Sequence, residues 1–249
     1  MRRLHIRLLI AAALLLGSCE GSIDINIDVD DGEEVEGSGA ITTEDRAVGD
    51  FDRIELAGEG RVIIEHGPAA LTIETDDNLL THIESTVSGG TLRISTESGI
   101  DIDPSDGVKY RVATERLGEI TLSGAGDIDT ADWSADEFTI TLAGAGDIAV
   151  TGVRAGRLNV TISGVGQVTV AGSADRLTMS LPGAGNFEGG DLAAVDVAVT
   201  ASGAGSATVW AARTLDATVS GVGSIDYFGS PQVTQSVTGI GSINSRGDK

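Results

Sequence analysis

A Gly-x-Gly unit returns at residues 124/126, 144/146, 164/166, 183/185, 203/205, 221/223 and 239/241, in steps of 20, 20, 19, 20, 18 and 18 residues. A fixed period near 20 excludes most architectures at once. Helical repeats run to about 33–47 residues, and leucine-rich repeats of this length carry a Leu/Asn consensus that is absent here. A solenoid of short strands remains. An earlier copy, Gly58-Glu59-Gly60, precedes a less regular stretch.

The phase within each repeat says which side faces inward. Two, four and six residues before the first glycine stand Leu142, Ile140 and Phe138, then Ile162, Val160 and Leu158, then Leu181, Met179 and Leu177, then Ala201, Val199 and Val197. That is period two, a strand with one buried face. Between them runs an outward hydroxyl row: Thr121, Thr141, Thr161, Ser180, Thr200, Thr218 and Ser236. Four residues after the glycine, Ile128, Ile148, Val168, Phe187, Ala207, Ile225 and Ile243 begin a second buried face. Each unit therefore reads as strand, Gly-x-Gly corner, second strand and variable return. Glycine is expected at the corner because the chain bends sharply and successive corners stack closely. The seven pairs use 14 of the 35 glycines, so the high glycine count reflects turns. These features predict an all-β fold, a single-stranded parallel β-helix with coils of about 18–20 residues. Gln235, polar at an inward position of the last coil, suits a cap.

With 41% hydrophobic residues the chain can bury a core. Its net charge of −22 argues against nucleic acid as a partner, since duplex binding needs clustered Lys and Arg. One cysteine excludes an internal disulfide framework and a cysteine-based zinc site. That cysteine follows Arg2, Arg3, Arg7 and an apolar run from Leu8 to Leu16. The run is too short to span a bilayer but fits a secretory leader. Leu16-Gly17-Ser18-Cys19 resembles the bacterial lipobox, in which the cysteine thiol receives a diacylglyceryl group. Cys19 is the expected lipid-attachment residue, and acyl chains would anchor the protein to a membrane. Glu20, where an aspartate would favour inner-membrane retention, favours the outer membrane. The expected organisation is a leader over 1–18, an acidic tether over 19–48, a β-helix domain over 49–245 and a tail over 246–249. In the tether, Ile23, Ile25, Ile27 and Val29 alternate with polar residues, but the ten acidic side chains of residues 20–48 point to a self-repelling spacer.

Phe51-Asp52-Arg53-Ile54, Asp77-Asn78-Leu79-Leu80, Gly89-Gly90-Thr91-Leu92-Arg93-Ile94, the Ser-Gly-x-Gly series, Asp226-Tyr227-Phe228-Gly229-Ser230-Pro231 and Gly241-Ser242-Ile243-Asn244 together resemble the head GIN domain of putative autotransporter adhesins. The resemblance covers about residues 50–245. It implies a right-handed β-helix, an adhesive role and no catalytic residues. The pattern departs from true autotransporters in that no membrane barrel follows residue 245, so lipid is the expected anchor.

Candidate chemistry is sparse. Gly144-Ala145-Gly146-Asp147-Ile148-Ala149 matches a dinucleotide fingerprint, but strand continues where that fold needs a helix. Asp127 and Asp147, stacked about 5 Å apart with Asp129 nearby, could hold Ca²⁺ or form a solvated ladder. Trp210 and Phe228 both lie seven residues after their first glycine, with Tyr227 adjacent, and could form a sugar platform or a corner cluster. Trp133 lies at another offset. His66 and His82 fall in the irregular part without a nucleophile elbow. Arg154, Arg157 and Arg176 sit in the returns, on an expected solvated face. The function expected is that of a non-catalytic cell-envelope lipoprotein, without cofactor. Its adhesin-like head would bind a surface, glycan or protein ligand. The alternative is a polysaccharide-binding or polysaccharide-processing protein, calcium-assisted; a third is a structural or quality-control part of the envelope.

Overall fold

The computed structural model describes residues 33–249. Cys19, the leader and the alternating stretch 23–29 lie outside the described residues. The described chain is an all-β solenoid of stacked parallel coils. Ala145–Ile162, Val165–Leu181, Asn186–Ala201 and Ser206–Val219 are each one strand that bends around its coil and pairs in parallel with the next. The return expected to be variable is thus also paired strand. Among the described residues no helix is long and apolar enough to cross a membrane.

Burial along Ala145–Ile162 shows how one coil closes. Ile148 and Val150 face inward, then Val153 and Ala155, then Leu158, Val160 and Ile162. Two adjacent outward residues interrupt the alternation at Thr151-Gly152 and at Gly156-Arg157. Each interruption turns the strand without turning its apolar side outward. With the Gly-x-Gly bend, this makes three straight runs and three corners. The same inward position is filled coil after coil: Val62, Ile128, Ile148, Val168, Phe187, Ala207 and Ile225 pair in succession, and all are buried. Each buried aliphatic side chain contributes about 1.5–3 kcal/mol. That gain exists only when a neighbouring coil covers it, so the stack is stable and a single coil is not.

The chain does not lay the coils down in sequence order. Arg53–Leu56 and Glu59–His66 form the coil that carries Gly58 and Gly60, and it pairs forward with Glu119–Leu122 and Ala125–Ala131. Its other edge pairs with Thr91–Thr96 and Lys109–Thr114, which come later in the chain. Antiparallel strands then cover that end. Ile83–Ser88 pairs with Thr91–Thr96, Ala70–Asp76 with Lys109–Thr114, and Ile41–Arg46 with Ala70–Asp76. Gly89 and Gly90, at φ +57° and +83°, make the two-residue turn of the first hairpin. Glu33–Glu36 pairs with Ile100–Asp103 in a separate two-stranded sheet. The antiparallel strands thus cover the edge that the parallel coils would leave bare at this end, a common protection against association.

The tether expectation is corrected here: from residue 33 the acidic segment is folded. Asn78 accepts from the Ser38 amide at 2.8 Å and donates to the Glu36 carbonyl oxygen at 2.8 Å. The Gly39 amide donates to the Asp76 carboxylate at 2.6 Å, and the Ser38 hydroxyl donates to Asp77 at 2.5 Å. A Cβ on Gly37 would lie 2.4 Å from Asp76 Oδ2. Gly37-Ser38-Gly39 is a clasped loop that needs small residues, and its hydrogen bonds outweigh the repulsion of the acidic strand. At the other end, residues 246–249 lie against the coils: Arg246 pairs with Asp226 at 2.7 Å, and the Gly229 amide donates to the Gly247 carbonyl oxygen.

Candidate ligand-binding faces

The Gly-x-Gly corners form two glycine columns. A Cβ on Gly144 would lie 1.9 Å from the Gly124 carbonyl oxygen; on Gly164, 2.0 Å from that of Gly144; on Gly203, 2.0 Å from that of Gly183. The second glycines behave alike, Gly146 at 1.8 Å from Gly126 O and Gly205 at 1.9 Å from Gly185 O. Close approach, more than backbone handedness, requires glycine: φ is positive at Gly126, Gly146 and Gly166, but not at the first glycine of each pair. The threatened carbonyl also accepts the Val165 or Ala145 amide from the next coil, at 3.0 and 2.9 Å. A side chain there would break that bond.

Between the columns the middle residue points to solvent. Ala125, Ala145, Val165, Ala184, Ala204, Val222 and Ile240 form an exposed, uncharged ridge, with Ile240 80% exposed. The polar row beside it is occupied with backbone. Asp127 accepts from the Asp147 amide at 3.2 Å, Asp147 from the Gln167 amide at 2.8 Å, and Asn186 from the Ser206 amide at 3.2 Å. Asp129 is held by Arg61 at 2.7 Å. Among the described residues no group of three or more His, Cys, Asp or Glu is arranged to hold a metal ion. The hydroxyl row faces outward as expected, from the half-buried Thr121, Thr141 and Thr161 to the exposed Thr200 and Ser236.

The remaining candidates scatter. Trp133 is buried, donates to Thr130 Oγ1 and stacks on His66 with ring centroids 3.7 Å apart. His82 Nδ1 lies 2.9 Å from Glu97. Arg154, Arg157 and Arg176 are exposed; Arg157 and Arg176 are register partners in adjacent coils, whereas Arg154 pairs with Ser173. Gln235 pairs with buried Ala217 and is itself exposed, at the solvent end of the core.

Trp210 and Phe228 do come together, as register partners in adjacent coils. Beside them opens a groove of about 420 Å³, walled by Phe228, Glu188, Gly190, Asp191, Asp226 and Arg246. Lys249 reaches into it. Sequence spacing located the two rings, but not Gly190, Asp191, Arg246 or Lys249, which no periodicity links to them. Asp226 is held below the usual carboxylate range, first by its hydrogen bond from Arg246. Elsewhere, Asp196 is lowered to about 2, chiefly by the hydrogen bond from Arg213 and then that from Thr214.

With this geometry in hand, the comparisons decide the family. The family model for "putative auto-transporter adhesin, head GIN domain" matches residues 50–231. The chain belongs to this head GIN domain family. A putative adhesin from Bacteroides fragilis NCTC 9343 is 28% identical, with a TM-score of 0.80 over 85% of this chain and 99% of that one. A putative lipid binding protein from Parabacteroides distasonis ATCC 8503 is 21% identical, with a TM-score of 0.70 over 86% of this chain and 99% of that one. A putative adhesin from Parabacteroides merdae ATCC 43184 is 20% identical, with a TM-score of 0.62 over 86% and 99%. The last two share the fold. A search of curated proteins finds no match.

Proposed function

We propose that this head GIN domain protein is a non-catalytic envelope lipoprotein. Cys19 carries the lipid, the outer membrane holds it, and the solenoid binds a partner through its repetitive edge. The observation that carries the reading is the uncharged ridge of Ala125, Ala145, Val165, Ala184, Ala204, Val222 and Ile240. On a chain of net charge −22, an uncharged strip repeating at coil spacing is the place where a partner can approach with least desolvation. Its fixed spacing lets many weak contacts act together. The adhesin family and a putative adhesin of 28% identity support the binding class.

Two experiments test it. Cys19→Ser is expected to abolish palmitate labelling and move the protein to the soluble fraction; labelling that persists rejects Cys19 as the lipid site. Cells displaying the full chain are expected to adhere to immobilised host or envelope material, and Val165→Asp with Val222→Asp is expected to reduce that adherence strongly. Both side chains are exposed, at 60% and 58%, so the fold tolerates the change. Unchanged adherence would move the binding face elsewhere. A glycan ligand stacked on Trp210 and Phe228 is a second reading, favoured by their pairing in adjacent coils. It requires Lys249 to leave the rings, and a glycan array tests it.

A further inference from the structure

We infer that the groove beside Phe228 is a binding site for an alkylammonium group, occupied here by the side chain of Lys249. The Lys249 ammonium stands 5.6 Å from the Trp210 ring centroid and 5.4 Å from that of Phe228. It also donates to the Gly190 carbonyl oxygen and to the Asp191 carboxylate. Two ring faces, a carbonyl oxygen and a carboxylate form a set that attracts a cation and offers it no competing donor.

The surroundings keep this preference. Arg246 is spent on Asp226 at 2.7 Å, which leaves Glu188 and Asp191 to make the wall negative. Gly190 keeps the ring accessible, since a Cβ there would already touch Phe228 at 3.4 Å. The groove, about 420 Å³, has room for a headgroup-sized ligand.

Lys249 is a weak occupant. Its ion pair with Asp191 is open to solvent, the Asp191 side chain being 80% exposed, and exposed pairs of this kind hold loosely. A tethered side chain nevertheless competes as an internal ligand. The apparent affinity for an external ammonium is the intrinsic affinity multiplied by the fraction of time the groove is free of Lys249. The occupant inferred is the ammonium of a phospholipid headgroup, for which the groove has room.

The test is calorimetric titration of choline chloride into the detergent-solubilised full chain, beside the neutral isostere 3,3-dimethylbutan-1-ol. Choline is expected to bind saturably, and Lys249→Ala is expected to tighten binding about twofold by removing a competitor that fills the groove roughly half of the time. The neutral isostere is expected not to bind. Asp191→Asn, at an exposed position that folding does not need, is expected to weaken choline binding in the Lys249→Ala background. No saturable choline binding to Lys249→Ala overturns the inference. So does equal binding of the isostere, or an affinity unchanged by Asp191→Asn. Phosphatidylethanolamine vesicles are expected to bind the Lys249→Ala chain saturably; binding of Nα-acetyl-lysine methylamide without binding of the vesicles would overturn the headgroup as occupant. The readout is a small molecule, so its failure leaves the adherence experiment standing.

Discussion

At the scale of single residues, the corner glycines and Asp76 make the clearest statements. Gly164 has no positive φ, yet a methyl group there would sit 2.0 Å from the Gly144 carbonyl oxygen. Relief requires the two coils to separate locally. Gly164→Ala is expected to cost about 3 kcal/mol, at the upper end of overpacking effects, with Gly164→Val worse. Gly49→Ala, with nothing within 4 Å and no positive φ, is expected to be neutral. Thr161→Ala, on the outward row, is expected to change stability by about 0.5 kcal/mol at most. Thermal melts that reverse this order would place the inward face on the wrong residues. Asp76 gives a pH signature. The side chain is fully buried, and its pKa is lowered from the ordinary 3.8, first by the Ser105 hydroxyl and then by the Ser105 and Gly39 amides. A depressed folded pKa means stability that is present above the unfolded value and lost as pH falls through the folded one. The melting temperature is therefore expected to fall below pH 3.8, and Asp76→Asn is expected to flatten that acid limb while lowering stability at pH 7. An acid limb identical in the variant removes Asp76 as its source.

At the scale of elements, the repeat was legible in the sequence and the closed end was not, for one physical reason. In the coils, period-two burial and the glycine columns repeat with the chain, so Phe138, Ile140 and Leu142 can be compared directly with Leu158, Val160 and Ile162. At the closed end the covering strands pair antiparallel and do not repeat. Ile41–Arg46 half-buries only alternate polar residues against Ala70–Asp76, and nothing local to it names that partner. The acidity of the segment reads as repulsion, whereas Asn78 and Asp76 hold Glu36, Ser38 and Gly39, just before this strand, from 37–42 residues away. The groove divides in the same way. Trp210 and Phe228 share an offset from their glycines and could be found, but Lys249 meets Asp191 across 58 residues. Asn78→Ala removes two hydrogen bonds that pin Glu36 and Ser38. It is expected to expose residues 33–40 to limited proteolysis while the coils after residue 119 stay protected. Protection of both regions would mean that the strand pairing alone holds the segment.

At the scale of the whole molecule, the account rests on each coil standing one strand spacing beyond the last, so that residues 18–20 apart in sequence are neighbours in space. The uncharged ridge, the capped Asp127–Asp147 row and the Trp210–Phe228 groove are all consequences of that stacking. Double electron–electron resonance between spin labels on the ridge measures it directly. With Ala125 labelled throughout, partners at Val165, Ala204 and Ile240 lie two, four and six coils away along the glycine columns. At about 4.8 Å per coil, the backbone separations are expected at roughly 10, 19 and 29 Å, in narrow distributions that rise linearly with coil number. Broad distributions, or separations that do not increase in equal steps, would contradict the stacked solenoid.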